Sequence, residues 1–492
     1  MGKKKSMVLM VLLTIVIVVL CAITVFPTFA LGGVKKWNPA IKQYDLGADL
    51  GGVYYAYYYP EGVISEAEYE DNKKMLEGDE LADYEASYLP HGGLYLEREK
   101  IVTGDTATPD FEEAFNAAAA EIAARYAANG YSDYRVSVVD DYALKVELPV
   151  SDSNAGTAFT YFSYTGEMTL AKGGELVDEL KGKEADIKDL IKGFSVGTQY
   201  DVAYIKVNLT KAGRKMVDEL KSSLTESTAA SESESATTLD VKIGDQVIVS
   251  IYKDHIDTDN EVKVPLAYKE NKALVNMIEV LLDSALEKGG FDIEFAAVTN
   301  GEIRVAEPVA GENASTVIYV TVGVVMLLLI VLAVLKMGGF GWVNAYTTLS
   351  YLIIVGLCFA FISKGIFEIT LGSVLIFVAG LVLTNVVHAF IYNAIKEEAA
   401  TGKTMESSVK GGYKTTLWGI VDLYAVLLLG SLALLIGAAG VQTFALQAII
   451  VVVTAAFCNL LWGRVINYVA MSASKDKFKF FRLVRKEDED DD

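Results

Sequence analysis

Cysteine is almost missing from this chain. Its three copies, Cys21, Cys358 and Cys458, all sit inside long apolar runs. The region between those runs therefore has no disulfide framework and no cysteine metal site. Histidine is equally scarce. His91 and His255 stand alone, without a ligand set beside them, and read as surface residues rather than metal ligands. Proline stops at Pro308. Basic residues are outnumbered: 43 Lys and Arg face 64 Asp and Glu, a formal charge of −21. That balance argues against nucleic-acid binding, which needs a basic surface. No nucleophile–base set, nucleotide loop or metal constellation is spelled out, so neither an enzyme nor a cofactor is expected.

What is abundant is apolar sequence, 52% of 492 residues. A bilayer core takes roughly 20 apolar residues per helix. The runs 7–31, 316–336, 342–363, 368–393, 415–437 and 441–470 reach that length and predict six spanning helices. The first follows "MGKKK", a basic start that also suits a signal peptide, with small residues near Ala30 for cleavage. Its length favours a retained anchor. Lysine placement sets the topology. "MGKKK", the 394–414 loop (Lys396, Lys403, Lys410, Lys414) and the tail "SKDKFKFFRLVRK" fall inside, and residues 32–315 outside. The expected divisions are 1–31 (helix), 32–315 (external domain), 316–471 (five helices) and 472–492 (charged cytoplasmic tail).

The external part alternates helix and strand signals. "PDFEEAFNAAAAEIAARYAANG" opens on Pro and acids and closes on Asn-Gly, a helix. "YRVSVVDDYALKVELPV" predicts a hairpin turning at Asp-Asp, and "LDVKIGDQVIVSIYKD" a hairpin turning at Gly-Asp. "KAGRKMVDELKSSL" and "ENKALVNMIEVLLDSALEKGG" predict helices, and "YDVAYIKVNLT" and "FDIEFAAVT" strands. The pattern implies an α+β layer of ferredoxin-like type, with a head subdomain inserted at about 165–265. The stretch 222–238, rich in Ser, Thr and Glu, predicts a mobile loop. Residues 61–108 show weak periodicity and predict a peripheral insertion. The whole is expected to be a membrane all-α bundle of six transmembrane helices with an α+β ferredoxin-like extracytoplasmic domain between helices 1 and 2.

Four stretches resemble the SecD subunit of the bacterial Sec translocase, within the resistance–nodulation–division superfamily. "LGADLGG" (46–52), with Asp49, Gly51 and Gly52, is similar to the signature after the first helix, one residue short. "AAAEIAARYAANGYSDYRVSVVDDYALKVELPV" is similar to the first-domain helix and hairpin. "NAIKEEAATGKTMESSVKGGYKTTLWGIVDLYAVLLL", with Gly402, Lys403 and Gly412, resembles the segment joining the fourth and fifth helices. One helix, a large external domain and five further helices is the family's layout. The resemblance implies a Sec accessory in the bacterial cytoplasmic membrane. Its partners would be a SecF-like subunit, Sec channel subunits, unfolded exported polypeptide and membrane lipid, and the proton gradient would be its drive. Asp422 matches the family's fifth-helix Asp. The fourth-helix Asp falls on Val386, with His388 in the following Asn place, and the intramembrane Pro-Gly element is absent. An RND-type half-transporter for lipid or small molecules, and a non-conducting scaffold paralogue, are the alternatives.

Depth singles out three side chains. At ~1.5 Å per residue, Asp422, His388 and Arg464 each lie roughly 10 Å from a cytoplasmic helix end. A charge at mid-bilayer costs ~2.5–3.5 kcal/mol on insertion scales, so pairing is expected. Arg464 offers Asp422 a planar donor, and His388 titrates near neutrality when unperturbed. The trio is expected to be either a proton relay or an ion pair that fixes helix packing.

Overall fold

A computed structural model describes residues 3–25, 29–31, 35–37, 40–104, 106–181, 186–227, 236–257, 259–288, 293–296, 298, 302–311, 313–362 and 366–483. These divide into two compact units, 1–52 with 307–492, and 53–306.

Among the described residues, six helices long and apolar enough to cross a membrane form most of the first unit. They span Lys3–Val25, Ala314–Met337, Gly339–Ile362, Leu371–Ala400, Met405–Ala433 and Ala439–Phe457. The sixth continues through a π-turn, Cys458–Trp462, into Gly463–Ala473. The third, fourth and sixth carry most of the core, with Phe340, Tyr351, Leu381, Ile391, Ala455 and Ile466 buried in it. The first helix is described as far as Val25, and residues 26–28 of the expected run lie outside the described residues. The fourth and fifth run well past the expected 393 and 415. Hydropathy marks only the apolar stretch, whereas Thr404 caps the fifth helix by accepting from Ser407 N at 3.4 Å, so that the helix begins at Met405, well before that stretch.

The second unit starts from a four-stranded sheet. Its order is Arg304–Ala306, Val53–Tyr58, Ala143–Pro149, Arg135–Val139, every neighbouring pair antiparallel. Numbered along the chain this is fourth–first–third–second, the ferredoxin-like arrangement. Alternation decides the faces. Ala56, Tyr58, Leu144, Val146 and Leu148 point inward. They meet Phe115, Ala118, Ile122 and Tyr126 of the helix Pro109–Ala128 and Phe159 and Phe162 of Ala155–Phe162. Tyr58 Oη donates to Phe159 O at 2.8 Å, so the proton in its 2.8 Å contact with Tyr126 comes from Tyr126. The hairpin turns where expected. Asp140 and Asp141 both take positive φ, 46° and 62°, the backbone of a tight turn matched to strand twist.

The inserted part holds a three-stranded sheet (Ile191–Gln199, Val202–Leu209, Val262–Tyr268) and a four-stranded one (Glu175–Leu176, Met168–Lys172, Leu239–Ile243, Gln246–Ile251). Helices Lys211–Lys221 and Lys272–Lys288 cover them. The shared core runs from Met168 to Leu286, so it extends past the expected boundary near 265. Helix Lys272–Lys288 serves both cores, since its Met277 faces the first sheet. Arg125 ties the two together. It is 1% exposed, donates from Nε to Ser284 Oγ at 2.8 Å, and from Nη1 to the carbonyls of Phe162 (3.1 Å) and Tyr164 (2.5 Å). Ser284 Oγ in turn donates to Glu121 Oε1 at 2.6 Å.

Two expectations change. Residues 61–108 are more ordered than their periodicity implies. Strands Val63–Ser65, Leu94–Glu97 and Tyr88–His91 pair into a sheet beneath stacked Tyr69, Tyr84 and Tyr95. Strands this short leave no readable alternation. The strand at the sheet's edge is Arg304–Ala306; of "FDIEFAAVT", the described residues 293–296 and 298 include Phe295 in an isolated bridge with Pro60. Of the loop 222–238, residues 228–235 lie outside the described residues. Its flanks are fastened: Thr225 N donates to Thr237 O and Thr237 N to Thr225 Oγ1, both at 2.9 Å.

His255 accepts from Tyr252 N at 3.2 Å, and His91 packs edge-on to Tyr142. Among the described residues no group of His, Cys, Asp and Glu is placed to hold a metal. Glu261 accepts from Lys206 (2.8 Å) and contacts Lys263 (3.0 Å), which draws its carboxyl down to about 2. The unfolded chain takes up this proton first as pH falls below the ordinary 4.5. The ion pair's contribution is therefore intact above 4.5 and is lost on the way to 2. Glu261→Gln should flatten that part of the acid-unfolding curve, read by circular dichroism between pH 5 and 2.

Candidate functional site in the helix bundle

His388 is fully buried on the fourth helix. Its Nδ1 donates to Thr384 O at 3.1 Å, one turn back. Nε2 is then an acceptor, and it faces the Asn459 side chain. One amide orientation has Asn459 Nδ2 donating to Tyr424 Oη and leaves both His388 Nε2 and Asn459 Oδ1 without partners. Turned end for end, Nδ2 donates to Nε2 and Oδ1 accepts from Tyr424. The second orientation satisfies every group, as burial demands. A hydrogen-bonded chain Tyr424–Asn459–His388–Thr384 thus crosses from the fifth helix through the sixth to the fourth. Gly463 makes room for it, since a Cβ there would stand 2.8 Å from His388 Nε2. The π-turn beginning at Cys458 sits at this crossing.

Asp422 and Arg464 do not join this chain. Asp422 lies on the exposed face of the fifth helix beside Trp418 and Val426, 72% and 69% exposed. Arg464 is also exposed, over the rings of Tyr413 (5.7 Å) and Tyr468 (6.0 Å). Among the described residues no ion pair links Asp422 to Arg464. Tyr424 meets Asn459, and Tyr413 neighbours Arg464. Asp422 precedes the buried Tyr424 by two residues, about 200° around the helix, and so faces away. Asn385 accepts from Asn344 at 2.6 Å inside the bundle, while Asn393 is exposed. Val386 is 58% exposed.

The signature stretch forms a second cluster, at the other end of the fourth helix. It belongs to the helical unit, not to the external one as expected. Asp49 Oδ2 accepts from Leu371 N, the first residue of that helix, at 2.6 Å. Gly47 N donates to Ile369 O (3.0 Å), Ile369 N to Asp45 O (2.7 Å), and Ala310 N to Asp49 O (3.1 Å). A Cβ on Gly51 would stand 2.9 Å from Leu46 Cβ, and Gly52 takes φ 86°. The signature is therefore a cap on a 30-residue spanning helix: a carboxylate on its free N–H groups and positive dipole end. At the lysine-rich end, Gly402 (φ 82°) turns the fourth helix into the fifth, Lys403 pairs with Glu398, and Gly412 lies against Ile395, where a Cβ would meet the backbone nitrogen at 2.8 Å.

No family model matches the chain. It is 32% identical over 129 residues to the protein translocase subunit SecD of Borreliella burgdorferi, covering 25% of this chain and 21% of that protein. The crystal structure of SecDF in its super-membrane-facing form aligns over 96% of this chain and 59% of that one, with TM-score 0.56 and 17% identity. A further SecDF structure, from Thermus thermophilus, aligns over 95% of this chain at 17% identity with TM-score 0.43. The chain thus spans about a fifth of the curated relative's length and three-fifths of the solved chains. Six spanning helices with a ferredoxin-like α+β unit between the first and second define a multi-pass membrane protein of the SecDF fold. Within that class, the 129-residue stretch shared with the Borreliella protein makes the chain similar to the SecD subunit.

Proposed function

We propose that this chain assists export of polypeptides through the Sec channel of the bacterial cytoplasmic membrane, without catalysing a covalent step. It works as half of a helix bundle whose other half is a SecF-like chain. Its lysine-rich 394–414 segment and both termini face the cytoplasm, and the external unit meets the emerging, unfolded polypeptide. The observation that carries this reading is Asp422, a carboxylate on the exposed face of a spanning helix with no ion-pair partner among the described residues. Facing lipid alone it costs ~2.5–3.5 kcal/mol or more. A partner helix that presents a donor removes that cost.

The test is co-purification in mild detergent. Wild type should carry a SecF-like subunit and Sec channel subunits, and Asp422→Leu should lose the former while remaining folded by itself. Retention of the partner by Asp422→Leu would defeat the reading. One observation favours a second mode within it, a proton-independent brace: an exposed Val386 stands where the family has its fourth-helix Asp. An uncoupler then distinguishes the two. Export stimulation that survives the uncoupler, and survives both Asp422→Asn and His388→Ala, identifies the brace. Stimulation that vanishes identifies the proton-driven form.

A further inference from the structure

The chain does not leave the bundle when the sixth helix ends at Ala473. It turns back across the lysine-rich end. Asp476 caps the next turn, Lys477–Phe480, by accepting from Phe478 N (3.0 Å) and Lys479 N (3.1 Å). That turn delivers Phe481 into the core, fully buried. Phe481 stacks on Phe340 at 5.8 Å, and Phe340 lies 5.9 Å from the Tyr392 ring and 5.8 Å from the His388 ring. Tyr392 Oη donates to Phe481 O at 2.9 Å, and Arg482 donates to Leu335 O.

The bundle is shaped to receive this segment. The corner between the second and third helices is a Gly-Gly pair. Gly338 needs its positive φ of 61°. Gly339, already helical, has no such need, yet a Cβ there would stand 2.2 Å from the Phe480 ring. Only the returning tail explains the second glycine. The segment is held by the buried Phe481 ring, by Phe478, Phe480 and Leu483 packed half-buried on the core, by the two hydrogen bonds to the carbonyls of Phe481 and Leu335, and by the exposed Lys477–Glu406 pair.

We propose that residues 474–483 are a strap that closes the lysine-rich end of the bundle over Phe340 and keeps water from His388. Lifted, it opens a path from that end to the buried imidazole and to the Asn459–Tyr424 chain beyond it. The strap acts within this chain and needs no partner.

Exchange of the imidazole C2 hydrogen for deuterium, read residue by residue by mass spectrometry on the full-length protein, tests this. His91 and His255 serve as references in the same sample. In wild type, His388 should exchange at least tenfold more slowly than His255. Phe481→Ala should raise the His388 rate at least tenfold and leave the other two unchanged. An unchanged His388 rate in monodisperse Phe481→Ala protein overturns the proposal. Should that variant fail to fold, Gly339→Cys with Phe480→Cys, in a background with the three native cysteines replaced by alanine, gives the same answer. Exchange at His388 should be slow when the pair is oxidised and at least tenfold faster when it is reduced. Equal rates overturn the proposal.

Discussion

Arg125→Leu should remove about 3–5 kcal/mol from the stability of the external unit, the cost of breaking a buried charge network from one side. The guanidinium is lowered to about 10 by burial, partly offset by Glu121, so it is charged at neutral pH. Three of its hydrogen bonds reach Ser284 and the carbonyls of Phe162 and Tyr164, and Ser284 relays it to Glu121. Leucine fills part of the space but leaves two buried carbonyls short of a donor and Glu121 short of its positive neighbour. Urea unfolding of the full-length protein, followed by tyrosine fluorescence and limited proteolysis of residues 53–306, measures the loss. The double variant Glu121→Gln, Arg125→Leu should recover about 1–3 kcal/mol, because the stranded charge is then gone. If the single and double variants unfold together, Glu121 is no part of the network.

Asp49→Ala should destabilise the docking of the fourth helix by about 1.5–3 kcal/mol, the range for hydrogen bonds to a charged group. Its Oδ2 holds Leu371 N at 2.6 Å, at the positive end of the helix dipole. Asp49→Asn keeps an acceptor but gives up the charge, and should lose about half as much. The readout is thermal unfolding of the purified protein, together with amide exchange at residues 369–374. Those amides should exchange faster in Asp49→Ala, while the far end of the same helix, around Ile395, should not change. Wild-type exchange at 369–374 in Asp49→Ala would show that the carboxylate holds nothing. In export assays on the proposed function, the same variant should be defective although it touches neither Asp422 nor His388.

Much of this architecture is legible in the residues. Six apolar runs give six helices because lipid leaves the backbone no other way to satisfy its hydrogen bonds. The Asp-Asp turn and the capped alanine helix read directly, since their cues are local. The closing strand does not: Arg304–Ala306 is three residues long, and its place is set by pairing with Val53–Tyr55. The intramembrane trio shows a different limit. Counting residues along a helix gives an expected height in the membrane, and by that count Asp422, His388 and Arg464 belong to one level. It does not give azimuth. A single residue turns the side chain by ~100°, so height alone could not place Asp422 outside and His388 inside. Burial of Tyr424 fixes the first, and the glycine at 463 the second. A π-turn such as Cys458–Trp462 carries no sequence signal of its own, and it shifts the facing of everything after it. Asn459 and Tyr424 were the residues the sequence did not mark as partners of His388, because a lone Asn and a lone Tyr in apolar runs look like any others.

The fourth helix has a mechanical consequence. Thirty residues make a rod about 45 Å long, against a hydrocarbon thickness of about 30 Å. Its Leu371 end is pinned by Asp49, and its Ala400 end is bound edge to edge with the start of the fifth helix through Gly411 and Gly412. A lever fixed at one tip sweeps most at the other. Rocking it by about 10° displaces the Gly402 corner by about 8 Å, from that length alone. A small strain applied where the signature grips would thus be magnified at the opposite surface of the membrane.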